Sequence, residues 1–320
     1  MSDKTALRAP TRTSPMVGIG LKLGSVAAFL AMASLLKATE DLPPGELVFF
    51  RSFFAIFPIV AFLAFRGELA DGLKTKRLPG HVWRAFLGTM AMGCMFFSLT
   101  KLPLPEATSI GYAMPILIVV FSAIFLKETV RLFRWSAVAV GMLGVGIIVW
   151  PRLTVFSGVE GSVSDLTLGA LAALTGSVFG AFATMQVRNL VNTERSATIV
   201  IYFSMTSSAL ALLTLPFGWA WPTAEQALLL VAAGIAGGLG QIFLTEAYRW
   251  ADVSTVAPFE YSSLVLAIVV GYVFFSEIPT IQMLIGALIV VGAGLFILWR
   301  EHALGLERRR AREVTPPPPG

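Results

Sequence analysis

Long apolar runs follow one another along this chain, separated by short polar stretches. A helix needs about 20 apolar residues to cross the roughly 30 Å hydrocarbon core of a bilayer. The runs do not alternate apolar and polar residues with a period of two, so they predict helices and not the strands of a membrane barrel. Ten helices are predicted, at 16–36, 46–65, 82–99, 105–125, 134–150, 167–187, 197–215, 226–246, 253–275 and 281–299.

The amino-acid composition also indicates that the protein lies in a lipid bilayer. Apolar residues make up 56% of the 320 residues and charged residues 13%, whereas a soluble domain is about 45–50% apolar and about 25% charged. A soluble protein of this composition would expose large apolar patches. The pattern therefore predicts an all-α integral membrane protein and argues against a soluble enzyme or a nucleic-acid-binding protein.

The distribution of Lys and Arg predicts the orientation. With the N-terminus placed in the cytoplasm, 19 of these cations fall in cytoplasmic segments and 3 on the opposite side, while Lys22 and Arg51 lie within the membrane. An excess of cations marks cytoplasmic loops. We therefore predict that both termini lie in the cytoplasm.

The ten helices divide into two halves of five. Residues 97–150 align without gaps on 246–299 at an offset of 149, which pairs Tyr112 with Tyr261 and Glu128 with Glu277. An odd number of helices in each half requires the halves to face opposite ways. The sequence thus predicts two inverted five-helix repeats, as in alternating-access transporters. The predicted segments are a tail at 1–15, repeats at 16–150 and 167–299, and a disordered tail at 300–320.

Three features resemble the EamA family of the drug/metabolite transporter superfamily. They are the second-helix stretch Glu46-Leu47-Val48-Phe49-Phe50-Arg51-Ser52, the acids that close the fourth and ninth helices, Glu128 and Glu277, and the glycine-rich fifth and tenth helices. The resemblance covers residues 16–299. It implies import or export of a small organic metabolite without ATP, across the bacterial inner membrane. The Phe-Phe-Arg-Ser form is most similar to carriers for vitamins and S-adenosylmethionine, notably bacterial riboflavin uptake proteins.

Glu260 is the strongest candidate for a substrate- or proton-binding residue. It lies about seven residues into the ninth predicted helix, roughly 10 Å along it. A charge at the centre of a membrane helix costs about 2.5–3.5 kcal/mol on the insertion scale, so an acid there indicates a functional or structural role. The alternative is a structural carboxylate that bonds a neighbouring helix.

Two cations also fall within the runs. Arg51 lies near the outer end of the second helix, where it either lines the pathway, extends outward or pairs with Glu46. Lys22 is close enough to the surface for its stem to reach the interface.

Tyr112 and Tyr261 occupy matching repeat positions and are candidates for stacking on a ligand or closing a gate. Gln241 on the eighth helix and Tyr202 on the seventh are further candidates for the cavity wall. The third helix is crowded with large flexible side chains, which indicates either adaptable packing or an apolar pocket. These are Met90, Met92, Met95, Phe96 and Phe97.

The functional prediction is a secondary transporter of a small organic metabolite, with riboflavin or a similar heteroaromatic compound as the best guess. An exporter of amino acids or other metabolites is the alternative within that class, and an intramembrane enzyme or a channel lies outside it. No catalytic cluster or Walker motif occurs. The chain has one cysteine, and its two histidines, His81 and His302, are expected in a loop or tail, which argues against a metal site. We expect no enzyme activity, no cofactor, no metal and no nucleic acid, and a monomer or homodimer in the lipid bilayer.

Overall fold

A computed structural model describes residues 14–39, 41–127, 130–153, 164–191, 193–251 and 253–314. These residues form helices and short connections, and no strand occurs among them. The ten apolar helices are numbered here in chain order. They are α1 Pro15–Lys37, α2 Pro44–Phe65, α3 Leu78–Lys101, α4 Leu104–Phe125, α5 Leu132–Val149, α6 Asp165–Leu190, α7 Ser196–Leu212, α8 Ala224–Trp250, α9 Ala257–Phe275 and α10 Ile281–Val314.

The predicted helical membrane fold is confirmed. Nine of the ten helices within the described ranges are long and apolar enough to cross a bilayer, and α7 is an apolar helix slightly shorter than the rest. Short helices lie in the connections at Leu69–Gly72 and Val253–Val256. Short 3₁₀ turns follow α5 at Trp150–Arg152 and α7 at Leu215–Phe217.

Local sequence sets where the helices begin. Proline occupies the first turn of α1, α2, α3 and α4, where a missing N–H costs nothing. Helix α8 begins with a capping box, in which Thr223 and Gln226 each bond the other's backbone N–H. Helix α6 is capped by Ser164, whose hydroxyl accepts the backbone N–H of Thr167.

Helices α4 and α9 are broken, which the sequence does not predict. Helix α4 consists of Leu104–Gly111 and Ala113–Phe125, joined at Tyr112. Helix α9 begins as a 3₁₀ turn, Ala257–Tyr261, and continues as an α-helix, Ser262–Phe275. A proline lies within three residues of each break, at Pro115 and Pro258. Each lacks the N–H that a continuous helix would use.

The two halves share an unusual backbone feature at the ends of these broken helices. Lys127 and Ser276, which are 149 residues apart, have positive φ angles of 52° and 55°, and no other non-glycine residue in the described ranges has one. A left-handed residue commonly ends a helix by capping its last carbonyls. The same solution at matching positions supports the repeat alignment. Glu128, the neighbour of Lys127, lies outside the described residues.

The helices pack as an approximate two-fold relation between the halves requires. Helix α1 packs along α8, and their counterparts α6 and α3 pack along each other. Helix α2 packs on α8 and α7 packs on α3, while α4 meets α9 and α5 meets α10. Gly144 of α5 and Gly286 of α10 let the last two backbones touch, because a methyl group on either would overlap the other's carbonyl oxygen.

Helix α10 is longer than predicted. It continues to Val314, whereas the tenth predicted helix ends at residue 299. Residues 300–314 contain no proline and are rich in Arg, Glu, Leu and Ala, which favour helix. The proline-rich segment that follows lies outside the described residues.

Candidate functional site

A cavity of about 280 Å³ lies at the centre of the bundle, between α1, α2, α3, α4 and α6. Its volume is just below the usual range of ligand pockets, about 300–1,000 Å³. Small residues of α4 and α6, Gly111, Gly176 and Gly180, leave the space open. Most of its walls are soft and apolar. They include Phe29, Met32, Met92, Met95, Phe96 and Met114.

Arg51 is the charged side chain in the wall of this cavity. It is 3% exposed, and its Nε approaches the sulfur of Met32 at 3.4 Å. Nη1 is buried and has no hydrogen-bond partner. Two of the expected alternatives, reaching outward and pairing with Glu46, are therefore wrong. Glu46 instead accepts the backbone N–H of Ala220 at 3.2 Å.

Arg84 is a functional candidate that sequence reasoning missed, because it was counted among the loop cations. It lies in the second turn of α3, and its Cζ stands 3.7 Å from the ring centroid of Phe203 on α7. The Cζ of Arg51 stands 5.7 Å from the same ring. Nε and Nη1 of Arg84 are buried without a partner. Two cations thus lie near one aromatic ring, whose π electrons attract each of them.

Glu260 and Lys22 form an ion pair between α9 and α1. The Lys22 side chain is 2% exposed and that of Glu260 is 49% exposed, so the acid is the accessible member of the pair. Lys22 Nζ also lies 5.9 Å from the ring centroid of Tyr248. The expectation that Lys22 reaches the interface is wrong, because a partner on a distant helix holds its charge inside.

Tyr112 and Tyr261 lie at the two helix breaks and meet each other, with ring centroids 5.2 Å apart. The Tyr112 hydroxyl bonds Ser263 and donates to the backbone carbonyl of Glu260 at 3.3 Å. The hydroxyl of Tyr261 occupies the space beside Gly294, where a methyl group would overlap it. The structure therefore brings three predicted site residues, Glu260 and the two tyrosines, together.

A second ion pair between α1 and α9 lies at the opposite end of both helices. Lys37 Nζ is 3.1 Å from the Glu277 carboxylate, and both side chains are largely buried. Lys37 also donates to the carbonyls of Leu99 and Leu102 at 3.1 and 2.9 Å. Glu277 accepts the backbone N–H of Leu104 at 2.9 Å. This network ties the ends of α1, α3 and α9 to the start of α4.

Arg152 and Glu106 close the same end of the bundle on the α4–α5 side. Arg152 donates from Nε and Nη2 to the two carboxylate oxygens, with the Nε contact at 3.0 Å. Glu106 is 3% exposed, so this bidentate pair is screened from water. It gives a buried charge the partner that it requires.

Arg51 is the one predicted candidate in the described lining of the central cavity, and Tyr202 and Gln241 also lie away from it. Tyr202 donates to the carbonyl of Leu73 at 3.0 Å, and its ring lies 5.0 Å from that of His81. His81 is in α3 and buried, so its expected place in a loop is wrong. Gln241 of α8 is half-buried and follows Gly240, whose carbonyl accepts the Ser25 hydroxyl at 2.9 Å.

Other features of the described residues do not suggest a reaction centre. A larger cavity of about 470 Å³ lies between α2, α3, α6 and α7, but its described lining contains no charged residue and includes exposed apolar side chains such as Phe86 and Leu213. No cluster of three or more metal-ligating side chains occurs in the part of the chain that the structure describes.

The chain is similar to known small-molecule transporters along most of its length. It is 28% identical over 258 residues to the S-adenosylmethionine uptake transporter of Rickettsia felis, covering 80% of this chain and 83% of the relative. It is 30% identical over 282 residues to the pseudopaline exporter CntI of Pseudomonas aeruginosa, covering 86% and 94%. It is 26% identical over 301 residues to the riboflavin transporter of Vibrio cholerae, covering 93% and 95%.

A solved crystal structure supports the fold. It matches with a TM-score of 0.63 and 21% identity over 91% of this chain and 99% of its own. A family model matches residues 16–150 and 167–299, which are the two predicted repeats. The chain therefore belongs to the EamA-like transporter family, and the relatives named above are transporters of small molecules.

Proposed function

We propose that this protein is a secondary transporter that moves a small organic metabolite through the central cavity by alternating access. One observation carries the proposal. Helix α1 supplies both lysines of two ion pairs that lie on either side of the cavity level, Lys22–Glu260 and Lys37–Glu277. Glu260 lies in α9, and Glu277 follows the last residue of α9, Phe275, by two positions. Opening one pair while the other stays closed would expose the cavity to one side of the membrane at a time.

The broken helices support this assignment. Discontinuous helices at corresponding positions of two repeats mark the binding region of many transporters. Tyr112 and Tyr261 sit at these breaks and touch, so a change in the angle at either break moves the other helix. Glu260 is the accessible acid beside them and is our candidate for the proton or for a cationic substrate group. Arg51 lines the cavity itself.

Riboflavin or a similar heteroaromatic metabolite is the first substrate candidate. The second-helix resemblance and the similarity to the Vibrio cholerae riboflavin transporter support it. The methionine and phenylalanine walls suit a flat aromatic body. The similarity to the uptake transporter for S-adenosylmethionine and to the exporter CntI supports another metabolite and leaves both import and export open.

The Lys and Arg distribution supports an orientation in the inner membrane with both termini in the cytoplasm. In that orientation the Lys22–Glu260 pair lies toward the cytoplasm and the Lys37–Glu277 pair toward the outside. The repeats, 16–150 and 167–299, would then face opposite ways. Function as a monomer or homodimer remains part of the proposal.

The test is transport by purified protein in proteoliposomes. Labelled riboflavin and labelled S-adenosylmethionine should accumulate inside, saturably and without ATP, and unlabelled compound inside the vesicles should accelerate the exchange. Empty vesicles are the control. Exchange without ATP supports a carrier. A unitary conductance in a planar bilayer would indicate a channel, and a chemically altered product would indicate an enzyme. Restored growth of a riboflavin auxotroph on low riboflavin tests that substrate alone.

A further inference from the structure

The two arginines beside Phe203 differ from three other buried or half-buried cations of the bundle. Lys22, Lys37 and Arg152 each contact a carboxylate. No described carboxylate pairs with Arg51 or Arg84, and their Cζ atoms lie 5.7 and 3.7 Å from the centroid of the same Phe203 ring. Three of their nitrogens are buried without a hydrogen-bond partner. A buried guanidinium is normally paired, so this arrangement calls for an anion.

The space around the two arginines is kept open by glycine. A methyl group on Gly88 would collide with the ring of Phe203, and one on Gly237 would crowd Met32 and the Nε of Arg51. Glycine at these two positions therefore leaves room for the Phe203 ring beside α3 and for Arg51 and Met32 beside α8. Phe203 is 6% exposed, so the ring is held by packing. The packed ring of Phe203 therefore fixes the positions of the two guanidinium groups that contact it.

The position of Arg51 connects this cluster to the central cavity. Arg51 lines the cavity together with methionines and phenylalanines. A ligand in the cavity can place an apolar body against those walls and direct one acidic group toward the arginines. The guanidinium fork matches a carboxylate or phosphate by two parallel hydrogen bonds.

We infer that Arg51 and Arg84 form an anion-binding subsite that receives the carboxylate or phosphate group of the transported metabolite. This inference rests on the proposed function and narrows it. Among candidate substrates it favours those that carry an acidic group over a neutral molecule such as riboflavin. Phe203 holds the two arginines in place as a positioning residue.

The experiment measures binding by the full-length protein in a neutral detergent, as a shift of the thermal unfolding midpoint. Two pairs of probes share a body and differ in one acidic group. They are S-adenosylmethionine with its decarboxylated form, and riboflavin 5′-phosphate with riboflavin. Inorganic phosphate is the minimal probe. The variants are Arg51→Gln and Arg84→Gln, and the control is Arg77→Gln, which removes an exposed arginine that donates to Asn189 and Thr193.

The expected result is that wild type is stabilised by inorganic phosphate and more by the acidic member of a pair than by its partner. The apparent affinity should fall about tenfold or more in each of the two variants and remain unchanged in Arg77→Gln. If a glutamine variant cannot be purified, Arg84→Lys keeps the charge but loses the fork, and it should weaken binding as well. Equal shifts in wild type and in the variants, or no shift with any acidic probe, would overturn the inference.

Two further arms separate this inference from its alternatives. Phosphatidylglycerol micelles test a lipid headgroup as the source of the anion, and an arginine-dependent shift with that lipid alone would overturn the metabolite assignment. Proteoliposome transport tests the proposed function by itself. Transport of riboflavin that is unaffected by Arg51→Gln and Arg84→Gln would sustain the transporter and overturn the subsite. Arginine-dependent binding without any transport would sustain the anion-binding subsite and overturn the proposed transporter.

Discussion

The rings of Tyr112 and Tyr261 meet with their centroids 5.2 Å apart, although 149 residues separate them along the chain. They stand at the breaks of α4 and α9, in matching positions of the two repeats. The contact lies next to the Lys22–Glu260 pair, because the Tyr112 hydroxyl bonds the Glu260 backbone carbonyl. A change at one of these four residues is therefore expected to reach the others.

Gly294→Ala should disturb this contact. A methyl group at Gly294 would overlap the hydroxyl of Tyr261, whereas the same change at Gly292 meets nothing within 4 Å. Overpacking typically costs about 1–3 kcal/mol, while alanine in an open helix position gains about 0.5–1 kcal/mol over glycine. Gly294→Ala should lower the unfolding midpoint and slow transport, and Gly292→Ala should do neither. Equal behaviour of the two variants in thermal unfolding and uptake would contradict the assigned contact.

Glu260→Gln should abolish most transport. In the proposed role, the Glu260 carboxylate binds the proton or a cationic group of the substrate. A hydrogen bond to a charged group is worth about 1.5–3 kcal/mol, so its loss should lower the transport rate by about tenfold or more. The change also leaves the buried Lys22 without its carboxylate, which should lower stability. The double variant Lys22→Gln/Glu260→Gln removes the unpaired charge and should regain stability. Transport should stay lost in the double variant. Uptake that recovers together with stability would return Glu260 to a structural role.

Glu277→Gln should weaken the closure at the other end of α1 and α9. Both members of the Lys37–Glu277 pair are largely buried, and removing one partner of such a pair costs about 3–5 kcal/mol. The matched control is Lys101→Gln, which breaks the more exposed Lys101–Asp165 pair of 2.9 Å. Exposed pairs contribute about 0–1 kcal/mol. Thermal unfolding of both variants in detergent measures the difference, and similar midpoints would show that Lys37 does not depend on Glu277.

Glu194, in the connection between α6 and α7, should make stability depend on pH. Burial raises the pKa of its carboxyl, but hydrogen bonds from the Thr75 hydroxyl and the Lys76 backbone N–H, together with His81, hold that pKa below its usual value. The stabilisation is therefore present above the pKa of the unfolded chain, about 4.3, and is lost as pH falls through the lower folded pKa.

The variant Glu194→Ala should consequently unfold at a lower temperature than wild type at pH 7. The free energy of unfolding should be lower in the variant by about 1.5–3 kcal/mol, which is typical of hydrogen bonds to a charged group. It should shrink as the pH falls below the ordinary glutamate pKa. Asp41→Ala, at an exposed carboxylate, is the control. A difference that is constant with pH would show that the Glu194 charge contributes nothing.

Reporter fusions test the orientation. A reporter that is active only outside the cytoplasm should be active after residue 158 and silent after residues 75 and 310. Residue 158 lies outside the described residues, in the connection between α5 and α6. The physical reason is the excess of Lys and Arg on the other side of the membrane. Activity after residue 310 would mean an odd number of crossings and would contradict two inverted repeats.

Hydropathy predicted the ten helices because each crossing leaves a local apolar run. It did not predict the breaks in α4 and α9, since each break lies inside a single predicted run, at 105–125 and 253–275. Pro115 and Pro258 are the local signals that mark these breaks. The alignment at an offset of 149 was informative, because it paired Tyr112 with Tyr261 before their contact was visible.

Side-chain partners on distant helices could not be predicted in the same way. Lys22 near the start of α1 satisfies the rule for a lysine that reaches the interface, and only the fold shows that Glu260 binds it. Arg84 was missed because it lies close to the end of an apolar run and was counted with the loop cations. A cation inside the first two turns of a membrane helix is the signal that would have flagged it, as it flagged Arg51.

The two ion pairs between α1 and α9 also constrain how the protein is made. Lys22 leaves the ribosome 238 residues before Glu260, and Lys37 precedes Glu277 by a similar length of chain. During synthesis α1 must therefore enter the bilayer with two cations whose acids do not yet exist, at a free-energy cost that headgroups and water have to offset until the ninth helix arrives. The last helices thus complete the insertion of the first, and the N-terminal half should not reach its native packing when it is expressed alone.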